Sequence, residues 1–174
     1  QSGSSRSDFA LVRYDIDGSL DTTFGNGGWV RTDLNSIEDE SKAIAVQPDG
    51  KILVAGYAMN GIQYDFALVR YKADGNLDTD FGTGGWVTTD LTGDQDQAQA
   101  LVIQPDGRII LAGSVKRDAP YYRDFGLVRY MPDGTIDDSF GVNGWIITNF
   151  SGGRDFAYSV ALQPDSTIVV AGTA

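Results

Sequence analysis

Cysteine and histidine are both absent from the 174 residues. The first absence excludes a disulfide framework, a thiol nucleophile and a cysteine-based metal site. The second removes the commonest general base and the commonest transition-metal ligand. Any catalysis would therefore have to run on carboxylates, Tyr, Lys or Arg. Proline is scarce, at 5 residues against 22 glycines, a balance that suits an all-β chain with many tight turns. No apolar run approaches the ~20 residues needed to cross a bilayer, and no signal peptide is visible. Basic residues are outnumbered, 13 against 24 acidic ones, for a net charge of −11. So acidic a surface repels phosphate backbones and anionic lipid heads, which argues against nucleic acid and membrane as partners. It is compatible with cations, sugars or basic proteins.

What is present is one motif written three times. The heptad DFALVRY starts at Asp8 and Asp65 and returns as DFGLVRY at Asp124. Gly-Trp recurs at Trp29, Trp86 and Trp145, Gln-Pro-Asp at Gln47, Gln104 and Gln163, and Ala-Gly at Gly56, Gly113 and Gly172. Each series is spaced by 57 and then 59 residues. A period of this size signals a repeat architecture, in which a unit buries its apolar surface only against a neighbour. Within one unit, Ala100–Ile103 is a short apolar run, Gln104-Pro-Asp-Gly a tight turn and Arg108–Gly113 a β-branched run. A variable loop leads to a third run from Phe125, and a Pro-Asp-Gly connection to a fourth at Trp145. Four antiparallel strands with turn signals and no helical period predict a β-propeller blade. A β-solenoid is the alternative, though its coils are usually shorter.

The expected organisation is a single repeat domain with a half-blade at about 8–34, blades at about 42–91 and 99–150, and a half-blade at about 158–172. Splicing the last half-blade onto the first would put Asp8 ten residues after Gly172, against nine and eleven inside the chain. Three blade equivalents are too few for an ordinary ring of four to eight. The expectation is therefore a homodimer with six blades, closed by pairing half-blades between chains, which removes open sheet edges. A fragment of a longer array, or a trimmed scaffold, would give the same boundaries.

The units FALVRYDIDGSLDTTFGNGG, FALVRYKADGNLDTDFGTGG and FGLVRYMPDGTIDDSFGVNG, each followed by QPD-x-x-I-x-x-A-G, resemble the delta-60 repeat, a DUF5122-type bacterial β-propeller repeat. The resemblance covers nearly the whole chain. It implies a propeller module of a larger bacterial protein, extracellular or at the cell surface. It supplies no catalytic motif, no cofactor and no established activity. One departure stands out: Ser166 replaces the turn glycine found at Gly50 and Gly107, which predicts a strained turn.

Positions identical in all units serve the blade, because a unique site needs no copies. By that rule Asp8, Asp65 and Asp124, Arg13, Arg70 and Arg129, and the three tryptophans are structural. The arginines lie in apolar strands and need partners, either those aspartates or the turn aspartates Asp21, Asp78 and Asp137, with the Trp faces as stacking surfaces. Asp15, Asp17 and Asp21 mimic the start of a calcium loop, but no bidentate Glu follows, and an Asp-Gly turn with Asp21 as a cap explains them better. The variable loops should emerge on one face and gather Glu38, Asp39, Glu40, Asp94 and Asp96 with Tyr57, Tyr64, Tyr121 and Tyr122. That face is either a solvating acidic rim or a binding surface for a carbohydrate, a cation or a protein. The leading functional expectation is a non-enzymatic structural or interaction scaffold. The alternatives are a glycan- or cation-binding propeller using this face, and a glycosidase-like enzyme with a carboxylate pair from Glu38, Glu40, Asp94 and Asp96.

Overall fold

In the computed structural model, residues 7–34, 37–117, 122–150 and 153–174 are described, and among them there are strands and turns but no helix. Strands β1 (Phe9–Val12) and β2 (Trp29–Thr32) make a two-stranded sheet. Strands β3 (Asp39–Val46), β4 (Ile52–Asn60), β5 (Gln63–Tyr71) and β6 (Trp86–Thr89) make a four-stranded sheet in chain order. Strands β7 (Asp96–Ile103), β8 (Ile109–Lys116), β9 (Arg123–Tyr130) and β10 (Trp145–Thr148) repeat that sheet. Strands β11 (Phe156–Leu162) and β12 (Ile168–Thr173) make a second two-stranded sheet. All pairings are antiparallel, as the alternating pattern and Pro-Asp-Gly turns predict.

The inner strands start earlier than their apolar runs do. Strand β3 opens at Asp39, pairing with Ala58, because a bulge between Ser41 and Ala43 lets the polar residues before it stay in the ladder. The same bulge recurs in β7 and β11. It explains the recurrent Ala-Gly. A Cβ on Gly56 would overlap the carbonyl oxygen of Glu40, and Gly113 and Gly172 meet Gln97 and Phe156 in the same way.

Sheets stack face to face. In β4, Leu53 and Ala55 enter a core shared with β8 and β9, while Val54 and Ala58 enter a core shared with β1 and β2. In β8, Ile109 and Leu111 join the first of these cores, and Ile110 and Ala112 face β11 and β12. Strands buried on both faces read as continuous apolar runs, which is why β4 and β8 do.

Repeated polar stitches join one unit to the next. The Tyr71 hydroxyl donates to Thr32 Oγ1 at 2.8 Å, and Tyr130 Oη lies 2.6 Å from Thr89 Oγ1. Burial lifts both phenols, that of Tyr71 to about 12. Backbone bonds run from Gly25 N to Asp74 O and from Gly82 N to Asp133 O, each at 2.8 Å. The arginines choose the turn aspartates, not Asp8, Asp65 or Asp124. Arg13, Arg70 and Arg129 donate through Nε to Asp21, Asp78 and Asp137 at 2.6, 2.7 and 2.8 Å. Their stacking rings are phenylalanines, Phe24, Phe81 and Phe140, at 4.4–4.6 Å, rather than tryptophans. The turn that follows each strand folds the Phe back beneath the guanidinium. Arg13 and Arg70 also donate Nη1 to Ala73 O and Pro132 O of the following unit, at 2.5 and 2.6 Å.

Candidate functional site

The β4–β5 and β8–β9 hairpins and the links β2–β3, β6–β7 and β10–β11 meet at one end of the sheets. Met59 N donates to Glu38 O at 2.9 Å, Lys116 N to Gln95 O at 3.1 Å and Asp155 N to Arg123 O at 2.7 Å. These bonds bring the variable loops to a common face.

On that face the candidate residues split into two groups. In the first, the Tyr64 hydroxyl donates to Glu38 Oε2 at 2.7 Å, and its ring meets Tyr57 edge-on at 5.0 Å. This bond to Glu38 raises the Tyr64 phenol above its usual range. Lys42 pairs with Glu40 at 3.0 Å and lies over the Tyr57 ring. In the second group, Lys116 pairs with Asp94 at 2.7 Å, which holds the carboxyl below its usual range. Arg123 reaches Gln95 and Ser114 beside it and lies over Phe156. Tyr122 is exposed, and Tyr121 lies outside the described residues.

Three of the expected surface residues are not at the surface. Tyr57, Asp39 and Asp96 are buried. The two aspartates anchor loops instead of facing solvent. Asp39 Oδ2 accepts from Leu34 N at 2.7 Å and Asp96 Oδ2 from Leu91 N at 2.7 Å, and Asp155 Oδ2 repeats the bond with Phe150 N at 2.9 Å. Burial outweighs these bonds at Asp96 and lifts its carboxyl to about 6.

The calcium-like run resolves into turn chemistry. Asp17 Oδ1 accepts from the Ser19 backbone and hydroxyl at 2.9 and 2.6 Å, and Asp21 Oδ1 from those of Thr23 at the same distances. These bonds depress both carboxyls. Asp15 serves the same turn through its backbone, accepting from Gly18 N at 2.9 Å.

A different acidic constellation emerges where one unit passes to the next. One carboxylate oxygen each from Asp8, Asp33 and Asp39 lies within 4.8 Å of the others. Strand register explains the first pair: Phe9 is paired with Thr32, which sets Asp8 beside Asp33. The loop anchor Asp39 supplies the third. Arg31 Nε donates to Asp8 Oδ2. The cognate sets are Asp65, Asp90 and Asp96, and Asp124, Asn149 and Asp155. Sequence reasoning passed over this grouping, although Asp33, Asp90 and Asn149 follow the same 57- and 59-residue spacing as the motifs it used.

Comparison with known proteins agrees with the repeat. A family model described as a beta-propeller domain of unknown function, DUF5122, matches residues 2–24, 47–81 and 104–140. The second and third segments each run from a Gln-Pro-Asp turn to the Phe beneath the strand arginine, and together the three cover more than half of the chain. No curated protein matches it. The chain belongs to the DUF5122 beta-propeller family.

Proposed function

We propose that this protein is a non-enzymatic β-propeller scaffold that assembles by pairing with a second copy of itself, two chains giving six blade equivalents. The observation that supports the reading is the unmatched half of each unit-to-unit stitch. Tyr71 and Tyr130 each reach back to a Thr on the outer strand of the preceding unit. The third tyrosine, Tyr14, is exposed, and the third threonine, Thr148, is exposed too. By the same pattern Gly141 N, among the described residues, is without the carbonyl that Gly25 and Gly82 find, and Asp17 O is its cognate.

The apolar surface is unmatched in the same places. Val12, Tyr14, Ile16, Ile44 and Val46 are exposed on one side of the stack, and Ile146, Phe150 and Val169 on the other. The cognates of Val12, Tyr14, Phe150 and Val169 in the four-stranded sheets are buried, Val69, Tyr71 and Leu53 fully and Leu91 nearly so. A second copy supplies the missing strand in a register already used inside the chain. Val54 pairs with Val69 and Ala55 with Leu68, so Val170 would pair with Val12 and Ala171 with Leu11. Edge strands with apolar faces are templates for such pairing.

Light scattering after gel filtration tests the reading. A mass of twice 18.7 kDa, reduced to 18.7 kDa by Val12→Asp, supports it. A mass of 18.7 kDa across the accessible concentration range overturns it.

A further inference from the structure

A cavity of about 280 Å³ opens between the β7–β10 sheet and β12. Its wall follows a plan used twice inside the chain. Between the β1–β2 and β3–β6 sheets, Phe9, Leu11 and Phe24 meet Ile52 and Val54. Between the β3–β6 and β7–β10 sheets, Phe66, Leu68 and Phe81 meet Ile109 and Leu111. At the cavity the cognates are Phe125, Leu127 and Phe140, with Ile168 and Val170. In both internal junctions a third strand completes the core. Val69 and Tyr71 of β5 close the first, and Val128 and Tyr130 of β9 close the second, all four fully buried. The cavity has the wall of those cores and is open where that strand would lie.

One further copy of the strand face exists in the chain. Ala10, Val12 and Tyr14 alternate along β1 and its extension and are exposed, while Phe9 and Leu11 between them are buried. Two four-stranded sheets stand between β1 and the cavity, so the chain does not fill its own. One wall position is not a copy. Phe150, which also lines the cavity, replaces Leu34 and Leu91, the buried neighbours of Tyr71 and Tyr130. Its ring meets Phe125 edge-on at 5.0 Å, and about half of it is exposed. A phenol entering here gains an aromatic wall in place of an aliphatic one.

We infer, resting on the self-pairing proposed above, that this cavity is a receptor for one side chain, the ring of Tyr14 from a second copy, and that Phe150 sets its preference for a ring. The segment from Ala10 to Gly18 carries the ring in as strand and turn. Thr148 takes the part that Thr32 and Thr89 play toward Tyr71 and Tyr130. Arg129 takes that of Arg13 and Arg70, which donate to Ala73 O and Pro132 O; the cognate acceptor is Ile16 O of the second copy. A buried aromatic anchor in a pocket carries a large share of an interface's affinity.

The test is self-pairing affinity, read from the concentration dependence of mass in light scattering. Tyr14→Ala alters an exposed side chain, so the monomer's Tm stays unchanged while pairing weakens about 30-fold or more. Tyr14→Phe keeps the ring and loses less, about tenfold. Mixed chains give the decisive result. Tyr14→Asp spoils the ring and keeps the cavity, and Phe150→Asp spoils the cavity and keeps the ring. Neither pairs with itself at parent strength, and their mixture pairs more tightly than either alone, through one intact junction. If Phe150→Asp does not fold, exposed Thr148→Arg blocks the same cavity. A mixture that pairs no better than its components, or parent-like pairing by Tyr14→Ala, overturns the inference and leaves a dimeric parent, and so the self-pairing reading, standing. A parent mass of 18.7 kDa at every concentration overturns both.

Discussion

The four-stranded and two-stranded sheets carry the same motif and bury it differently. Val69 in β5 is 0% exposed, and its cognate Val12 in β1 is 50% exposed. Leu53 in β4 is 0% exposed, and its cognate Val169 in β12 is 47% exposed. Strand β4 opens with seven consecutive buried residues, and β1 alternates buried with exposed. Nothing in the heptad changes between Asp8 and Asp65. What changes is the number of neighbours: β4 and β5 have a sheet on each face, and β1 has one. Burial here belongs to the stack and not to the motif, as nearest-neighbour energetics of repeat proteins require.

The largest difference should come from truncating cognate apolar residues. Leu53→Ala removes side-chain atoms from a filled core and is expected to cost about 2–5 kcal/mol in chemical denaturation. Val169→Ala in the isolated chain should stay within about 0.5 kcal/mol. If a second copy covers β12, the Val169→Ala cost grows, and it becomes concentration-dependent; equal costs at all concentrations would confine the comparison to a single chain. Next in size is the arginine stitch. Burial raises the Asp78 carboxyl, but Lys51 and Arg70 outweigh that and leave it depressed. Arg70→Ala leaves Asp78 buried with Lys51 alone at 3.2 Å, and a loss of about 2–3 kcal/mol follows. Arg13→Ala, at a half-exposed pair, should cost no more than about 1 kcal/mol. The sign of the pH effect is set by that depression. Stabilisation from Asp78 is complete above its unfolded value of 3.8 and is lost as pH falls through the lower folded value. Arg70→Ala should therefore flatten the acid limb of the stability curve.

The ladder of each sheet was legible because its signals are local. Pro-Asp-Gly sets the hairpins, and β-branched runs set the strands. The partner of each strand arginine was only half legible. Sequence narrowed it to two aspartates per unit, and the turn that brings Phe81 under Arg70 decides for Asp78. The candidate face was least legible. Asp39 and Asp96 read as loop acids, yet an unexpected bulge draws them into β3 and β7 and turns their carboxylates onto Leu34 and Leu91. The repeat spacing marked Asp33, Asp90 and Asn149 as cognates, but the meeting of the acidic side chains was hidden for a related reason. It joins Asp8 to Asp33 through register and Asp39 through a capped loop, and neither link is a fixed spacing within one strand.

A smaller effect sharpens the comparison at single-atom level. Tyr130→Phe removes only the hydroxyl shared with buried Thr89, and should cost about 1–1.5 kcal/mol. Tyr14→Phe should cost nothing in the monomer, because its hydroxyl has no counterpart bond there. A measurable loss for Tyr14→Phe would mean that Tyr14 meets Thr148 of another copy.

The smallest expected change is a gain, and it lies in a two-stranded sheet. Gly50 and Gly107 close their turns at φ +83° and +85°, and Ser166 closes the third at φ +68°. The turn itself is intact, since Ser166 N donates to Gln163 O at 2.9 Å, as Gly50 N does to Gln47 O. Only the Cβ distinguishes it, and a side chain in the left-handed region costs roughly 1 kcal/mol. Ser166→Gly removes that strain but loosens the unfolded chain, which offsets part of the gain. The net expectation is a stabilisation of about 0.5 kcal/mol in denaturant unfolding. Gly107→Ser, made in the four-stranded sheet, runs the exchange backwards and should lose at least that amount, because its Cβ would also press on Pro132 Cγ at 3.3 Å. If the loss at Gly107 greatly exceeds the gain at Ser166, the excess measures the contact with Pro132 on the neighbouring connection, and equal values mean that Pro132 yields.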